Sequence, residues 1–383
     1  MENQRATFGS KLGVILVSVG SAVGLGNIWR FPYIAGEGGG GAFLIIYLLC
    51  LLIMGIPVLT AEFFVGKYTH LNAVGAYRKL APRTPWVAIG YNGVLAAFLI
   101  YGFYSVVAGW TLHYIWESAS GALAQFSTPA EYEAHFNAFV TDPWKPTIAT
   151  VGFMLITHAI IMLGVQKGIE RSSKLMMPLL FVILLVLCGR SISMEGGMEG
   201  LKFLFTPDFS KVTSQTFLNA VGQSFFSISA GLGCMIVYAS YFSDATKIGS
   251  TAVSVALIDT LVAVLAAVMI FPAVFSVGIQ PTAGPSLVFI TLPNILNTLS
   301  FSWLWSTIFF LLLVEDIEVL GVFQHEARRL PQGIGGQLFD AQCIQGGGPV
   351  QTFCDGGLFQ NGLVAAQLLD RQRHLGAEPV IHV

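Results

Sequence analysis

What most limits the fold of this chain is its succession of long apolar runs. They lie near Leu12–Ala35, Ala42–Val65, Trp86–Trp116, Thr147–Val165, Leu175–Ile192, Phe217–Phe242 and Thr251–Val277, and an eighth begins near Phe301. Crossing a bilayer by helix takes about 20 mainly apolar residues, because unpaired backbone amides cannot be left in hydrocarbon. Numbered here as spans 1 to 8, these runs predict an all-α integral membrane protein. Only 10% of the residues are charged and 54% are hydrophobic, whereas an ordinary soluble domain carries roughly a quarter charged residues. That shortage excludes a disordered chain, and with a net charge of -2 it excludes a basic nucleic-acid binder. Cys50, Cys188, Cys234, Cys343 and Cys354 are too few and too scattered for a disulfide framework or a zinc site.

Orientation follows from where lysine and arginine collect. The connection after span 2 holds Lys67, Arg78, Lys79 and Arg83, and the one after span 4 holds Lys167, Arg171 and Lys174. The alternate loops carry Glu131, Glu133 and Asp142, then Glu195, Glu199 and Asp208. A multi-pass protein of the cell membrane with a cytoplasmic amino terminus is predicted. Span 1 is too long for a cleavable signal peptide, and no small-residue cleavage site follows it.

Two spans are interrupted at matching places. Span 1 contains Gly20-Ser-Ala-Val-Gly-Leu-Gly-Asn27, and span 6 contains Ser227-Ile-Ser-Ala-Gly-Leu-Gly233, so Gly-Leu-Gly recurs at 24–26 and 231–233. Each glycine costs about 1 kcal/mol of helix propensity relative to alanine, so the clusters favour local breaks. Gly20 and Gly24 also fit the small-xxx-small pattern of a close helix contact. That contact alone does not explain the recurrence five spans later. Interrupted helices at corresponding positions of two halves point to a substrate site between repeats.

The stretch Gly20-Ser-Ala-Val-Gly-Leu-Gly-Asn-Ile-Trp-Arg-Phe-Pro32, with the Gly38–Gly41 run and Ala42-Phe43, resembles the neurotransmitter:sodium symporter family, and in particular a bacterial member. Trp110-Thr-Leu112, Gln223-Ser-Phe-Phe226 and Pro285-Ser-Leu-Val-Phe-Ile-Thr-Leu-Pro293 agree with it, so the likeness covers about residues 5–314. This family is itself among the standard examples of paired broken helices. The resemblance implies the inverted-repeat fold of five plus five helices and sodium-coupled symport of an amino acid. Main-chain groups of Ala22, Leu25 and Gly26 and the Tyr104 hydroxyl would hold the substrate carboxylate. Ser21, Ile100, Phe226, Ser227, Ser229 and Leu232 would surround the rest of the substrate. The apolar character of Ile100, Phe226 and Leu232 favours a hydrophobic or aromatic amino acid. Gly24 stands where monoamine carriers of the family have an aspartate, so the ligand is expected to bring its own carboxylate.

The resemblance also implies two sodium sites. The first maps onto Ala22, Asn27, Ser227 and Asp259, and the second onto Gly20 and Val23 with remaining ligands in span 8. Hydrogen bonds between helices are the plain alternative for Asn27 and Ser227. Asp259 is the one carboxylate in the apolar stretch of span 7, and an intramembrane acid is a functional candidate by default. It would supply the charge that chloride brings in animal members, at an anion site formed by Tyr47, Gln223 and Ser227, making chloride unnecessary. A snorkelling acid near the membrane edge is the alternative. Arg30 and Arg5 resemble the outer and inner gate arginines, or else are interfacial anchors. A homodimer in the bilayer is compatible with the family.

No catalytic constellation assembles from these spans, and an enzyme is not expected. The Gly38–Gly41 run lacks the lysine and hydroxyl of a phosphate loop. His113 and His158 are read as histidines that pack or bond to neighbours, without a second metal ligand at i+4. After Val314 the pattern changes: residues 315–383 hold nine of fifteen glutamines, and Glu315-Asp-Ile-Glu318 interrupts span 8. The expectation is a symporter truncated in span 8, 1–314, followed by a frame-shifted and disordered tail, 315–383, with a true soluble appendage as the alternative for the tail. Transport would then be impaired, and a membrane protein that only binds ligand or a partner, or an unstable fragment, is the alternative.

Overall fold

The computed structural model describes residues 11–24, 26–163, 165–276 and 287–313. These residues are helical and hold no strand, only an isolated bridge between Gly40 and Pro207. Leu25, Arg5, Pro285 and the tail from 315 onward lie outside them, as does the side chain of Ser21.

Span 1 runs as Lys11–Ala22, stops, and resumes as Gly26–Arg30 and Phe31–Glu37. Span 6 runs as Ser214–Ser227, stops, and resumes as Cys234–Ala239. Both interruptions fall on the Gly-Leu-Gly segments, where helix propensity is lowest. Span 2 is a helix over Gly41–Thr69 with a wide turn at Leu51–Gly55, directly ahead of Pro57, whose missing N–H cannot extend the regular ladder. Spans 3 and 7 are single helices, Val87–Ala119 and Ile248–Ser276. Spans 4 and 5 are Lys145–Leu163 and Val165–Ile192, and the start of span 8 is Ser302–Leu313.

Among the described residues, three uninterrupted helices are long and apolar enough to cross a membrane: Gly41–Thr69, Val87–Ala119 and Ile248–Ser276. Met177–Ile192 with Gly197–Phe205 makes a fourth when counted together, although the two are bent by 113°. Spans 1 and 6 escape a length criterion because they are broken, which is the property that matters here.

Span 7 sits centrally and packs against spans 1, 2 and 5 and the helix Gly197–Phe205. Ala252, Ala256, Ala263, Ala266 and Ala267 on it are fully buried, and small side chains let membrane helices approach closely. Leu52, Ile53, Leu99 and Leu257 are exposed.

The connection between spans 3 and 4 carries the helix Pro129–Thr141. Thr128 and Glu131 form a reciprocal capping box at its start, satisfying amides that the first turn leaves unpaired. The Tyr132 hydroxyl donates to the Leu123 carbonyl at 2.9 Å and anchors this helix to the preceding turn.

Candidate functional site

The two breaks meet span 7 at one buried residue of span 1. Asn27 follows the first interruption, and its Oδ1 accepts from the Gly24 N–H at 3.0 Å, an amide the broken helix has left over. On its other side Nδ2 donates to Asp259 Oδ1 at 2.7 Å, to the Asp259 carbonyl at 3.1 Å and to Ser227 Oγ at 3.2 Å. Ser227, the last helical residue before the second interruption, donates to Asp259 Oδ2 at 2.5 Å. Asn27 and Asp259 have no exposed surface, and Ser227 is 1% exposed. Asp259 is therefore an interior carboxylate, and the snorkelling alternative is not what the fold adopts.

The second interruption has a distinctive backbone. Ser229, Gly231 and Gly233 have φ of 52°, 84° and 76°, a region glycine enters without the steric cost other residues meet. Glu62 of span 2 supports it by accepting from the Gly231 N–H at 2.9 Å. This residue was not among the sequence candidates. The signal was present, since Glu62 is an acid inside an apolar span and such acids carry a functional presumption.

Beside the breaks opens a cavity of about 520 Å³, lined by Trp29, Arg30, Ile100, Phe103, Tyr104 and Phe226 among others. Gly26 lies at its inner edge: a Cβ there would stand 3.0 Å from the Phe226 ring and 3.9 Å from the Tyr104 hydroxyl. The Tyr104 and Phe226 rings are 6.2 Å apart. Arg30 lies 4.5 Å from the centroid of the Phe226 ring and donates to Gln223 Oε1 at 2.5 Å, while Gln223 Nε2 donates to the Gly26 carbonyl at 3.3 Å. Arg30 thus closes over one side of Phe226, tied to the start of the resumed helix.

The remaining candidates fall into place unevenly. Gly20, Ala22 and Val23 are buried at the end of the first half of span 1. Ser229 is buried in the second interruption. Leu232 packs beside Val94 and Ala97 of span 3, and its side chain is not among those lining the cavity. Tyr47 is fully buried, with its hydroxyl facing Ser227 and Thr260 and no hydrogen bond made among the described residues.

His113 bonds to a neighbour, as expected, but the reading that no ligand-type residue stands at i+4 needs correction. His113 does have a partner at i+4: its Nε2 lies 3.1 Å from Glu117 Oε1, and His135 Nε2 lies 2.7 Å from Glu117 Oε2. One helical turn places His113 and Glu117 on the same face, and His135, carried by the helix Pro129–Thr141, ties that helix to the end of span 3 through the same carboxylate. Among the described residues no group of three His, Cys, Asp or Glu side chains is arranged to hold a metal ion.

Comparison with known proteins adds to this geometry. The model of the sodium:neurotransmitter symporter family matches residues 5–140 and 134–321. The chain is 43% identical over 304 residues to the uncharacterized sodium-dependent transporter YhdH of Bacillus subtilis, covering 79% of this chain and 67% of that one. It is 28% identical to the sodium-dependent serotonin transporter of Drosophila melanogaster, covering 82% of this chain and 57% of that protein. Among solved structures it is similar to MhsT in complex with L-phenylalanine, with 44% identity and a TM-score of 0.80, covering 85% of this chain and 74% of MhsT. The chain spans about two thirds of the length of the bacterial relatives it matches.

Proposed function

Since this chain belongs to the sodium:neurotransmitter symporter family, we propose that it carries the binding centre of a sodium-coupled symporter for a small hydrophobic or aromatic amino acid. The family is one of membrane transporters, not enzymes. The observation that carries the proposal is the meeting of Asn27, Ser227 and Asp259 where both broken helices reach span 7. Three oxygens converge there on the Asn27 amide, a donor bearing partial positive charge. A sodium ion would be held by the same hydroxyl and carboxylate oxygens, joined by the Ala22 carbonyl that the break frees. Gly20 and Val23 would contribute carbonyls to a second sodium. Asp259 brings a fixed negative charge beside Tyr47, Gln223 and Ser227, so chloride is not needed.

The substrate lies alongside. Its carboxylate is held by main-chain groups of Ala22, Leu25 and Gly26 and by the Tyr104 hydroxyl, because amides at the start of a resumed half-helix carry partial positive charge. Ser21, Ile100, Phe226, Ser227 and Ser229 enclose its amine and side chain, and Leu232, packed against span 3 in the structure, joins them by turning toward the cavity. The position of Gly26 against Tyr104 and Phe226 supports this arrangement. MhsT, solved with L-phenylalanine, makes that amino acid the first ligand to test. Arg30 serves as an outer gate and Arg5 as an inner one, with the amino terminus cytoplasmic. We read the tail from 315 onward as no part of the transport unit, although the family model reaches residue 321, and sequencing the DNA across codons 305–325 in all three frames tests its origin.

The function is tested by binding of labelled L-phenylalanine to the purified full chain in sodium and in equimolar potassium. Saturable binding in sodium and its loss in potassium are expected. Equal binding in both cations overturns the sodium site, and absence of binding for every hydrophobic amino acid overturns the substrate class. Uptake into proteoliposomes under a sodium gradient then separates a carrier from a protein that only binds.

A further inference from the structure

From Phe63 to Trp116 the chain contains no aspartate or glutamate, yet it contains Lys67, Arg78, Lys79 and Arg83. The fold gathers these cations where span 2 ends and span 3 begins. Asn72 starts the short helix Ala73–Leu80 by accepting from the Gly75 N–H at 2.8 Å. Ala73, Val74, Gly75 and Ala76 face inward. A Cβ at Gly90 would stand 2.8 Å from Val74 Cα, so this glycine lets the helix lie directly on the start of span 3. That packing turns Lys79 and Leu80 outward.

The cations are held in place but not neutralised. Arg78 donates to the Tyr91 hydroxyl at 3.1 Å, and Lys79 to the Thr69 carbonyl at 3.3 Å. Lys67 donates to the carbonyls of Asp244 and Thr246, each at 2.9 Å. Arg83 is exposed, has φ of 62°, and makes no hydrogen bond among the described residues. No ion pair joins any of the four to a carboxylate among the described residues, the exposed Asp244 included. Around them Tyr68, Leu80, Trp86 and Tyr91 present large apolar surface to the outside, Trp86 with 60% of its area. Tryptophan and tyrosine beside basic residues are the composition of a headgroup layer.

We propose that this face docks the headgroup of an anionic phospholipid, with Arg78, Lys79 and Arg83 on its phosphate and Leu80 and Trp86 at the acyl boundary. The proposal rests on spans 2 and 3 crossing a membrane and is independent of the substrate. Charge selects the occupant: the neutral partners orient the cations, while a phosphate both neutralises them and matches the guanidinium fork.

The full chain, delipidated in neutral detergent, is titrated with phosphatidylglycerol or phosphatidylcholine and the bound lipid read by native mass spectrometry. Phosphatidylglycerol is expected to be retained over phosphatidylcholine by about tenfold or more, three basic contacts each adding a share. Replacing Arg78, Lys79 and Arg83 together with glutamine brings the ratio near one. Arg83→Gln alone lowers it several-fold without changing thermal unfolding, because Arg83 has no hydrogen bond to lose within the described residues. Equal retention of both lipids, or an unchanged ratio in the triple variant, overturns the proposal. Displacement of the lipid by millimolar inorganic phosphate also overturns it, because the surface would then take free anions. Amino acid binding measured on the same preparations reports separately on the symport reading.

Discussion

Asn27 and Asp259, separated by 232 positions in the sequence, share a 2.7 Å hydrogen bond between side chains that have no exposed surface. The bond ties the interruption of span 1 to the central helix, and Ser227 ties the interruption of span 6 to the same carboxylate. An uncompensated carboxylate at this depth would be costly. Its contacts are an amide, a hydroxyl and, in the proposed function, a bound cation.

Asp259→Asn removes the fixed negative charge while keeping the shape of the side chain. In chloride-free buffer, sodium-dependent binding of L-phenylalanine should fall about tenfold or more, the scale of losing one charge-assisted contact. Added chloride should restore it. Unchanged binding without chloride would mean that the carboxylate does not supply the charge of the site.

Gly26→Ala places a Cβ 3.0 Å from the Phe226 ring. Overpacking of this kind costs about 1–3 kcal/mol, so the dissociation constant for L-phenylalanine should rise by about tenfold. Adding Phe226→Leu should recover part of the loss by giving the methyl room. An affinity unaffected by Gly26→Ala would move the substrate away from this edge of the cavity.

Glu62→Ala leaves the Gly231 amide, in the strained second interruption, without the part-buried hydrogen bond it donates. Losing one hydrogen bond costs about 0.5–1.5 kcal/mol, which thermal unfolding of the purified chain should register as a lower midpoint. Glu62→Gln keeps a carbonyl oxygen at the same place and should recover most of the loss. Equal midpoints for the alanine variant and the parent would show that the second interruption does not depend on span 2.

Glu131 accepts from the amides of Ser127 at 2.7 Å and Thr128 at 3.1 Å, and these bonds hold its carboxyl below the ordinary value of 4.5. A folded value below the unfolded one means that the carboxylate supports the helix Pro129–Thr141 at neutral pH. The support is lost as the pH falls from the ordinary value through the lower, folded one. Amide protection in this helix should therefore exceed that of Glu131→Gln at neutral pH and converge with it in acid. Parallel pH profiles would remove the cap from the account.

Much of the architecture could be read without coordinates. Hydrocarbon forbids unpaired amides, so uninterrupted apolar runs became helices, and the two Gly-Leu-Gly segments became their breaks. That His113 bonds to a neighbour was expected, and its partner Glu117 was equally legible, being one helical turn away on the same face. Glu62 was missed because its partner is a backbone amide in span 6, and backbone partners leave no mark on residue type.

Local sequence thus determined where helices form and where they stop, because propensity and hydrophobicity act within a few residues. Tertiary structure decided what the stops are for. It brought Asn27, Ser227 and Asp259 together from three separate helices, set Gly26 against Phe226 and Tyr104, and laid the helix Ala73–Leu80 on the start of span 3. Those arrangements depend on packing between segments far apart in the chain, where small residues such as the alanines of span 7 let helices approach closely enough for polar groups to meet.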